Sequence, residues 1–271
     1  MTGHPVQVWW ARLEDARSGL RELLDPVEQA RYESTVDPAG RGRFLVGCAL
    51  SRLVLGELLG LPPADVPLRR VCPRCGGPHG KVHLALPPHG PSGAALPPDG
   101  SSGTRPVYGF SVTHSGALVG VAVRRGREVG LDVEESHGDL DVDSAARVAL
   151  SDPELAALYA RPAAERPPAF LRTWTRKEAV LKALGVGLSV PLRELELSPP
   201  DKPPTILTWP GRLTPRPRVS MTDLIVDGTH PAALAVTGTG AGAGVGGRVE
   251  EAGGVRVTLH DGSELLAAYT R

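Results

Sequence analysis

The sequence predicts an α+β fold of two similar αβ lobes related by pseudo-two-fold symmetry, each a small, mainly antiparallel sheet packed on helices. Short β-branched runs alternate with helical patterns along the chain. Two helical segments of the first half also return in the second half at a nearly constant spacing. Because duplicated lobes commonly hold a site between them, we expect the active site at the seam between the lobes.

The internal repeat rests on two pairs of segments. DPVEQARY at 25–32 matches DPELAALY at 152–159, and FLVGCALSRLVL at 44–55 matches FLRTWTRKEAVL at 170–181. The offsets are 127 and 126 residues, so both pairs fit one duplication. A single Asp-Pro match is weak because this dipeptide starts many helices, but two elements at one offset favour a duplicated unit.

Two stretches of linker composition divide the chain. Residues 86–106 and 237–247 are rich in Gly with Pro, Ser or Thr and show no hydrophobic periodicity. We therefore predict an N-terminal lobe over 1–106, which includes the Pro/Gly-rich connection, and a C-terminal lobe with the metal site over 107–237. A Gly-rich linker and tail of unknown role would occupy 238–271.

Local patterns place the elements within the lobes. A strand is predicted at 6–13, and three short strands lie between 107 and 135, separated by turns at Ser115-Gly116 and RRGR. A helix over 169–184 is ended by Gly185. Strand-like runs follow near 192–198, 218–226 and 232–237.

Composition excludes several classes of protein. The 30 Lys and Arg residues balance the 30 Asp and Glu residues, so we expect no nucleic-acid partner. No apolar run approaches the length of a membrane span, and MTGHPVQVWW lacks a signal-peptide pattern. The sparse Cys48, Cys72 and Cys75 do not form a secreted disulfide framework. We expect a cytoplasmic protein without a membrane partner.

Two carboxylates lie in an apolar, β-branched run, VGLDVEE. In an extended strand residues i and i+2 share a face, so Asp132 and Glu134 project together while Leu131 and Val133 face the other way. Adjacent carboxylates repel unless a cation lies between them, and oxygen ligands of this kind suit Mg²⁺. The alternative is a solvated strand end.

A second set of charges lies on the helix over 169–184. Trp174, Glu178 and Lys182 are spaced i, i+4, i+8 and share one face. Glu178 and Lys182 could form an ordinary surface ion pair, but Trp174 on the same stripe indicates a partly covered face. They could then provide a metal ligand or base beside a phosphate clamp. His114 in FSVTHSG adds a third element, with a purely structural histidine as its alternative.

Taken in order, FSVTHSG, VGLDVEE and FLRTWTRKEAVLKALG resemble the surfactin-type (Sfp-like) 4'-phosphopantetheinyl transferases. The resemblance spans roughly residues 6–237. It implies transfer of the phosphopantetheine arm of coenzyme A to a serine of a carrier domain, with release of 3',5'-ADP. By similarity, Asp132, Glu134 and Glu178 would hold Mg²⁺. Glu178 would also be the base for the serine proton, and Lys182 would neutralise charge on the pyrophosphate and the departing ADP.

The resemblance also assigns residues to the coenzyme A phosphates. Thr113 and His114 would contact the phosphates, and Thr113 keeps the hydroxyl of the family's Ser. Arg31, Arg43 and Lys81 would bind the 3'-phosphate end, where arginine geometry matches phosphate. Val82 stands where the family has Pro after Gly-Lys.

Two further features have competing interpretations. Glu154 resembles a family acid near the metal, but Ser151 and Glu154 also read as a helix capping box. Cys72 and Cys75 with His79 or His83 have ligand types that suit zinc, but a second Cys pair is missing, so a structural zinc is not favoured. No role is predicted for Lys177.

The expected partners follow from the reaction. They are coenzyme A and acyl or peptidyl carrier domains of polyketide, nonribosomal peptide or fatty acid synthases, served by a monomer. Carrier domains are generally acidic, so a basic docking surface is expected near 140–172, with Arg147, Arg161, Arg166 and Arg172. The alternative functions are a non-catalytic coenzyme A binding protein of the same fold and a zinc-knuckle nucleic-acid binder.

Overall fold

A computed structural model describes residues 4–70, 76–77, 80–85, 108–136, 140–213, 216–241 and 255–270. The strands are β1 Val6–Arg12, β2 Leu68–Arg70, β3 Val82–Leu84, β4 Tyr108–Ser115, β5 Leu118–Arg125, β6 Val129–Val133, β7 Glu196–Leu197, β8 Ile206–Thr208, β9 Pro217–Val226, β10 His230–Ala241 and β11 Val257–Asp261. The α-helices are α1 Pro26–Ser34, α2 Pro38–Leu59, α3 Val142–Ala149, α4 Asp152–Tyr159, α5 Arg166–Leu184 and α6 Gly262–Tyr269.

The first sheet has the strand order β11-β1-β5-β4. β1 and β4 both pair antiparallel with β5, and β11 pairs parallel with β1. The long helix α2 covers this sheet, and its buried face includes Leu45, Ala49 and Leu50. α2 begins at an Asp37 cap followed by Pro38, and it ends at Gly60, which adopts the left-handed conformation that glycine tolerates best.

The second sheet has the antiparallel order β6-β10-β9 and packs on α5. The helix buries Phe170, Val180 and Leu181 against it. α5 begins three residues before the predicted start, because Pro167 and Pro168 fall in its first turn, where the missing N–H costs nothing. Its end at Gly185 is as predicted.

The two sheets meet where β4 lies beside β6, and we call this contact the β4–β6 seam. Ser111, Thr113 and Ser115, which we call the hydroxyl row, lie on one face of β4. Their oxygens accept hydrogen bonds from backbone N–H groups at alternate positions of the facing segment: Leu131 at 3.0 Å, Val133 at 3.2 Å and Glu135 at 3.1 Å. Side-chain hydroxyls thus replace a backbone ladder between the sheets.

The predicted α+β class with small, mainly antiparallel sheets on helices is confirmed. The pseudo-two-fold relation is not established, since the two sheets differ in strand number and order. The division into two lobes and a tail stays a prediction. The first sheet contains strands from all three predicted parts of the chain, because β5 of the predicted C-terminal lobe and β11 of the tail both pair with β1. None of the helices in the described ranges has the length and apolar character of a membrane span.

Candidate active site

Asp132 on β6 is the most buried carboxylate of the candidate site, with 5% of its surface exposed. Its Oδ1 accepts a hydrogen bond from Lys182 Nζ at 2.6 Å and a longer one from the Thr113 hydroxyl at 3.3 Å. Its Oδ2 is buried without a hydrogen-bond partner. Burial raises the pKa of Asp132 to about 7, an effect that Lys182 partly offsets and that the charges of Glu134 and Glu178 increase. An oxygen that is buried and unpartnered is placed to take a cation.

Glu134 projects on the same side, as the i, i+2 spacing predicts. Its Oε2 accepts a hydrogen bond from the Ser115 hydroxyl at 2.7 Å, and its Oε1 accepts one from Trp174 Nε1 at 3.1 Å. Trp174 therefore belongs to the site through its indole N–H. Because Trp174 binds Glu134 and Lys182 binds Asp132, the predicted stripe of α5 faces both carboxylates.

Glu178 lies on α5 between these two contacts and is half-buried. Burial raises its pKa, Lys182 opposes the rise, and the charge of Glu134 adds to it. A carboxylate with a raised pKa holds a proton more readily than an ordinary glutamate, which suits a group that must accept one. Lys182 completes the cluster and also donates to the Leu131 carbonyl at 3.2 Å.

A cavity of about 150 Å³ lies on the other side of β4 and contains three of the predicted phosphate ligands, Arg31, Arg43 and His114. Arg43 is held by the Gly116 carbonyl at 2.9 Å, and the Arg31 guanidinium stacks over the Phe44 ring. Burial lowers the pKa of His114, and the nearby charges of Arg43 and Lys182 lower it further. The cavity is therefore rich in positive charge, and the His114 imidazole in it is harder to protonate than an ordinary histidine.

The structure places two neighbouring residues where the sequence did not predict them. Lys81 does not line this cavity, and its ammonium forms an ion pair with Glu128. Arg70, which the sequence analysis missed, lines both this cavity and an adjoining one of about 950 Å³. Burial lowers the pKa of Arg70, and the positive charge of Arg31 contributes to the shift. Its only sequence signal was a basic pair, Arg69 and Arg70, at the end of a short strand.

Glu154 has a structural task that accounts for both of its carboxylate oxygens. One oxygen accepts from the Ser151 N–H at 2.8 Å, as the capping box predicts, and from the buried ammonium of Lys177. The other accepts from the Leu197 N–H at 2.9 Å. Lys177 also donates to the carbonyls of Ala149 and Leu192. This buried ion pair anchors α5 to α4 and to the segment before β7.

Cys72, Cys75 and His79 lie outside the described residues, so the structure does not bear on zinc there. Over the ranges it does describe, no three His, Cys, Asp or Glu side chains form a group that could hold a metal ion. At the β4–β6 seam, one oxygen of Asp132 is already occupied, since Oδ1 accepts a hydrogen bond from Lys182. The roles predicted for the individual site residues stay predictions.

Comparisons with known proteins agree on one family. Residues 128–235 match the family described as the 4'-phosphopantetheinyl transferase superfamily. The chain is also 29% identical over 241 residues to the 4'-phosphopantetheinyl transferase HetI of Nostoc sp., a match that covers 87% of this chain and 89% of that protein.

Among solved structures, the crystal structure of Thermotoga maritima holo-(acyl-carrier-protein) synthase is 24% identical, with a TM-score of 0.30. That match covers 40% of this chain and 61% of the other. The Sfp-like subtype stays a prediction. The residues 128–235 contain β6 and α5 with their charged side chains, so the part of the chain that carries the candidate site is similar to the 4'-phosphopantetheinyl transferase superfamily, and most of the sequence is similar to one such transferase.

Proposed function

We propose that this chain transfers the 4'-phosphopantetheine arm of coenzyme A to the serine of an acyl or peptidyl carrier domain and releases 3',5'-ADP. The observation that carries the proposal is the unpartnered, buried Oδ2 of Asp132, a carboxylate whose Oδ1 accepts from Lys182 and whose pKa is raised further by the charge of Glu178. Nothing in the comparisons favours the non-catalytic alternative. A cytoplasmic monomer is part of the same proposal.

The carboxylates of the candidate site have the ligand chemistry of a hard divalent cation such as Mg²⁺. Mg²⁺ takes oxygen ligands, keeps several waters and is usually bound by one or two carboxylates together with substrate phosphates. Asp132 and Glu134 would supply those carboxylates, with Glu178 as a third candidate. When bound, the ion would neutralise the developing charge on the pyrophosphate oxygens.

The residues of the chain then have separate tasks in the transfer. The carrier serine Oγ attacks the phosphorus that bears the pantetheine arm, and the bond from this phosphorus to the bridging oxygen of 3',5'-ADP breaks. Glu178, with its raised pKa, takes the serine proton directly or through water. Lys182 provides positive charge beside the pyrophosphate and the departing ADP.

The cavity on the other side of β4 suits the nucleotide end of coenzyme A. Its charges come from Arg31, Arg43 and Arg70, and the adjoining cavity of about 950 Å³ is in the size range of nucleotide-sized ligands. Guanidinium groups bind phosphate oxygens in a bidentate manner, which matches the 3'-phosphate. His114 joins this cavity to the seam, because its neighbours in β4 belong to the hydroxyl row.

We propose that the carrier domain docks on α3. Arg147 lies in its last turn, and the apolar side chains of Val148 and Leu140 are 71% and 47% exposed beside it. The three other predicted docking arginines are partly committed, since Arg161 pairs with Asp201, and Arg166 and Arg172 donate to backbone carbonyls.

Glu178→Gln tests the proposed reaction. This variant should bind coenzyme A with the affinity of the wild type in calorimetry, while transfer to an apo carrier should fall by about 100- to 10,000-fold. Glu135→Gln is the matched control, because Glu135 is a neighbouring carboxylate that accepts a hydrogen bond from the Ala117 N–H instead of facing α5. Transfer by Glu178→Gln at the rate of the control would refute the assignment of the base.

A further inference from the structure

We infer that two members of the hydroxyl row, Thr113 and Ser115, orient the two carboxylates offered to the metal and are therefore positioning residues of the transfer reaction. The inference rests on the proposed function, since it assumes that Asp132 and Glu134 bind a divalent cation. It follows from the direction that each hydroxyl proton must take.

The surroundings of the Thr113 hydroxyl fix the direction of its proton. The oxygen accepts hydrogen bonds from the Val133 N–H at 3.2 Å and from Lys182 Nζ at 3.3 Å. A hydroxyl has two lone pairs and one proton, so these two donors occupy the acceptor positions. The remaining polar neighbour is Asp132 Oδ1 at 3.3 Å, and the hydroxyl proton points to it.

Asp132 thereby has one committed oxygen and one open oxygen. Oδ1 receives both the Thr113 hydroxyl and the Lys182 ammonium, and these two bonds fix the rotation of the carboxylate. Oδ2 is left buried without a partner, which makes it the oxygen available to a cation. Without the Thr113 hydroxyl, the carboxylate would be held by Lys182 alone and could rotate about that contact.

Ser115 also holds a carboxylate, that of Glu134, whose second oxygen accepts from Trp174 Nε1. Its oxygen accepts from the Glu135 N–H at 3.1 Å, and its proton goes to Glu134 Oε2 at 2.7 Å. Residues 113 and 115 face the same side of β4, as residues 132 and 134 face the same side of β6, so each hydroxyl meets one carboxylate. Outer hydrogen bonds of this kind hold a metal ligand in its binding orientation.

This task differs from the phosphate contact that the family resemblance implies for Thr113. The Thr113 side chain is 2% exposed, and its hydroxyl already engages three polar groups. An orienting role changes the affinity for the metal, whereas a phosphate contact changes the affinity for coenzyme A. The two roles can therefore be separated by binding measurements without turnover.

The experiment measures Mn²⁺ binding by electron paramagnetic resonance at saturating coenzyme A without a carrier, and coenzyme A binding by calorimetry without metal. Thr113→Val, which removes the hydroxyl at nearly constant volume, should weaken Mn²⁺ binding by roughly 10- to 100-fold. Thr113→Ser should bind Mn²⁺ within about threefold of the wild type, because it keeps the hydroxyl. Coenzyme A should bind with unchanged affinity.

Ser111→Ala is the matched control for loss of a hydroxyl from the same row. Ser111 accepts from the Leu131 N–H at 3.0 Å and lies about 7 Å along β4 from Thr113, so its loss should lower the melting temperature but not the Mn²⁺ affinity. If Thr113→Val does not fold, Ser115→Ala makes the same test on Glu134, with the same expected loss of Mn²⁺ affinity.

Three results would overturn the inference. The first is a Thr113→Val variant with wild-type Mn²⁺ affinity and weaker coenzyme A binding, which would assign Thr113 to the phosphates. The second is an equal loss of Mn²⁺ affinity in Ser111→Ala, which would indicate a general structural effect. The third is a wild type that binds no Mn²⁺, which would remove the metal site from the proposed function as well and is recognised before any variant is measured.

Discussion

Substituting alanine for Gly130 perturbs the contact between β6 and α5 without touching a charged residue. A Cβ atom at this position would lie 2.0 Å from the carbonyl oxygen of Ala179 and 2.4 Å from the nitrogen of Ala183. Both obstacles are helix backbone, so no side chain can rotate away. Since real Cβ atoms essentially never approach other atoms within 3.0 Å, the helix and strand must separate by about 1 Å.

This separation would affect stability and activity to different degrees. Overpacking of this kind costs about 1–3 kcal/mol, which for a chain of this size lowers the melting temperature by roughly 2–4 °C per kcal/mol. Glu178 and Lys182 move with α5, whereas Asp132 stays on β6. A displacement of about 1 Å in a catalytic geometry can reduce turnover on the order of 100-fold. We therefore expect a folded variant that has lost most of its activity.

The assay combines a thermal unfolding curve with the rate of phosphopantetheine transfer to an apo carrier, and the rate is measured at a temperature at which the variant is fully folded. Gly19→Ala is the control, because a Cβ there would meet Thr270 at an ordinary contact distance of 3.7 Å. A Gly130→Ala protein with wild-type turnover would refute the claim that the close approach of α5 to β6 sets the geometry of the site.

Three further predictions concern charge and stability. Burial and the neighbouring charges of Arg43 and Lys182 hold the pKa of His114 below its usual value, so a bound phosphate should raise this pKa, and coenzyme A should bind more tightly as the pH falls from about 8 to about 6. Calorimetry in buffers of different ionisation enthalpy should show proton uptake on binding, and His114→Ala should abolish it. Equal proton uptake in both proteins would contradict a contact between His114 and the phosphate. Lys177→Met should lower the free energy of unfolding in urea by about 3–5 kcal/mol because it leaves the buried Glu154 carboxylate without its ammonium partner. Adding Glu154→Gln should recover part of this loss, and strictly additive losses would show that the two side chains are not coupled. Removal of residues 255–271 should lower the melting temperature while leaving coenzyme A affinity unchanged, because this segment packs on β1 and α2; unchanged unfolding would contradict that packing.

Local sequence patterns predicted which charged side chains of β6 and α5 share a face in the candidate site. The i, i+2 spacing of Asp132 and Glu134 and the i, i+4 stripe of α5 depend only on the geometry of a strand and a helix. Each pattern gave the shared face correctly, and the structure turns those two faces toward each other. What the sequence could not provide was the neighbour of each face, since the chain brings β6 and α5 together over about forty residues.

The contacts that the sequence did not predict are all nonlocal. The hydroxyl row is visible as alternating Ser and Thr, but its role depends on β4 lying beside β6. The pairing of β11 with β1 joins Val257 to Val6 across nearly the whole chain, and a parallel pair leaves no turn signal. Lys177 has no predicted role because it points away from the Glu178 stripe, and its ion pair with Glu154 on another helix is a contact that the local pattern does not reveal.

Whether the chain is a metal-dependent phosphopantetheinyl transferase is decided by the intact mass of an apo carrier after incubation with this protein, coenzyme A and Mg²⁺, with and without EDTA. The wild type should add one phosphopantetheine group to the carrier, and EDTA and Asp132→Asn should each prevent the gain. A control variant, Glu135→Gln, should transfer normally. Transfer that continues in EDTA, or no transfer to any of several acyl and peptidyl carriers by a protein that binds coenzyme A, would contradict the proposed function.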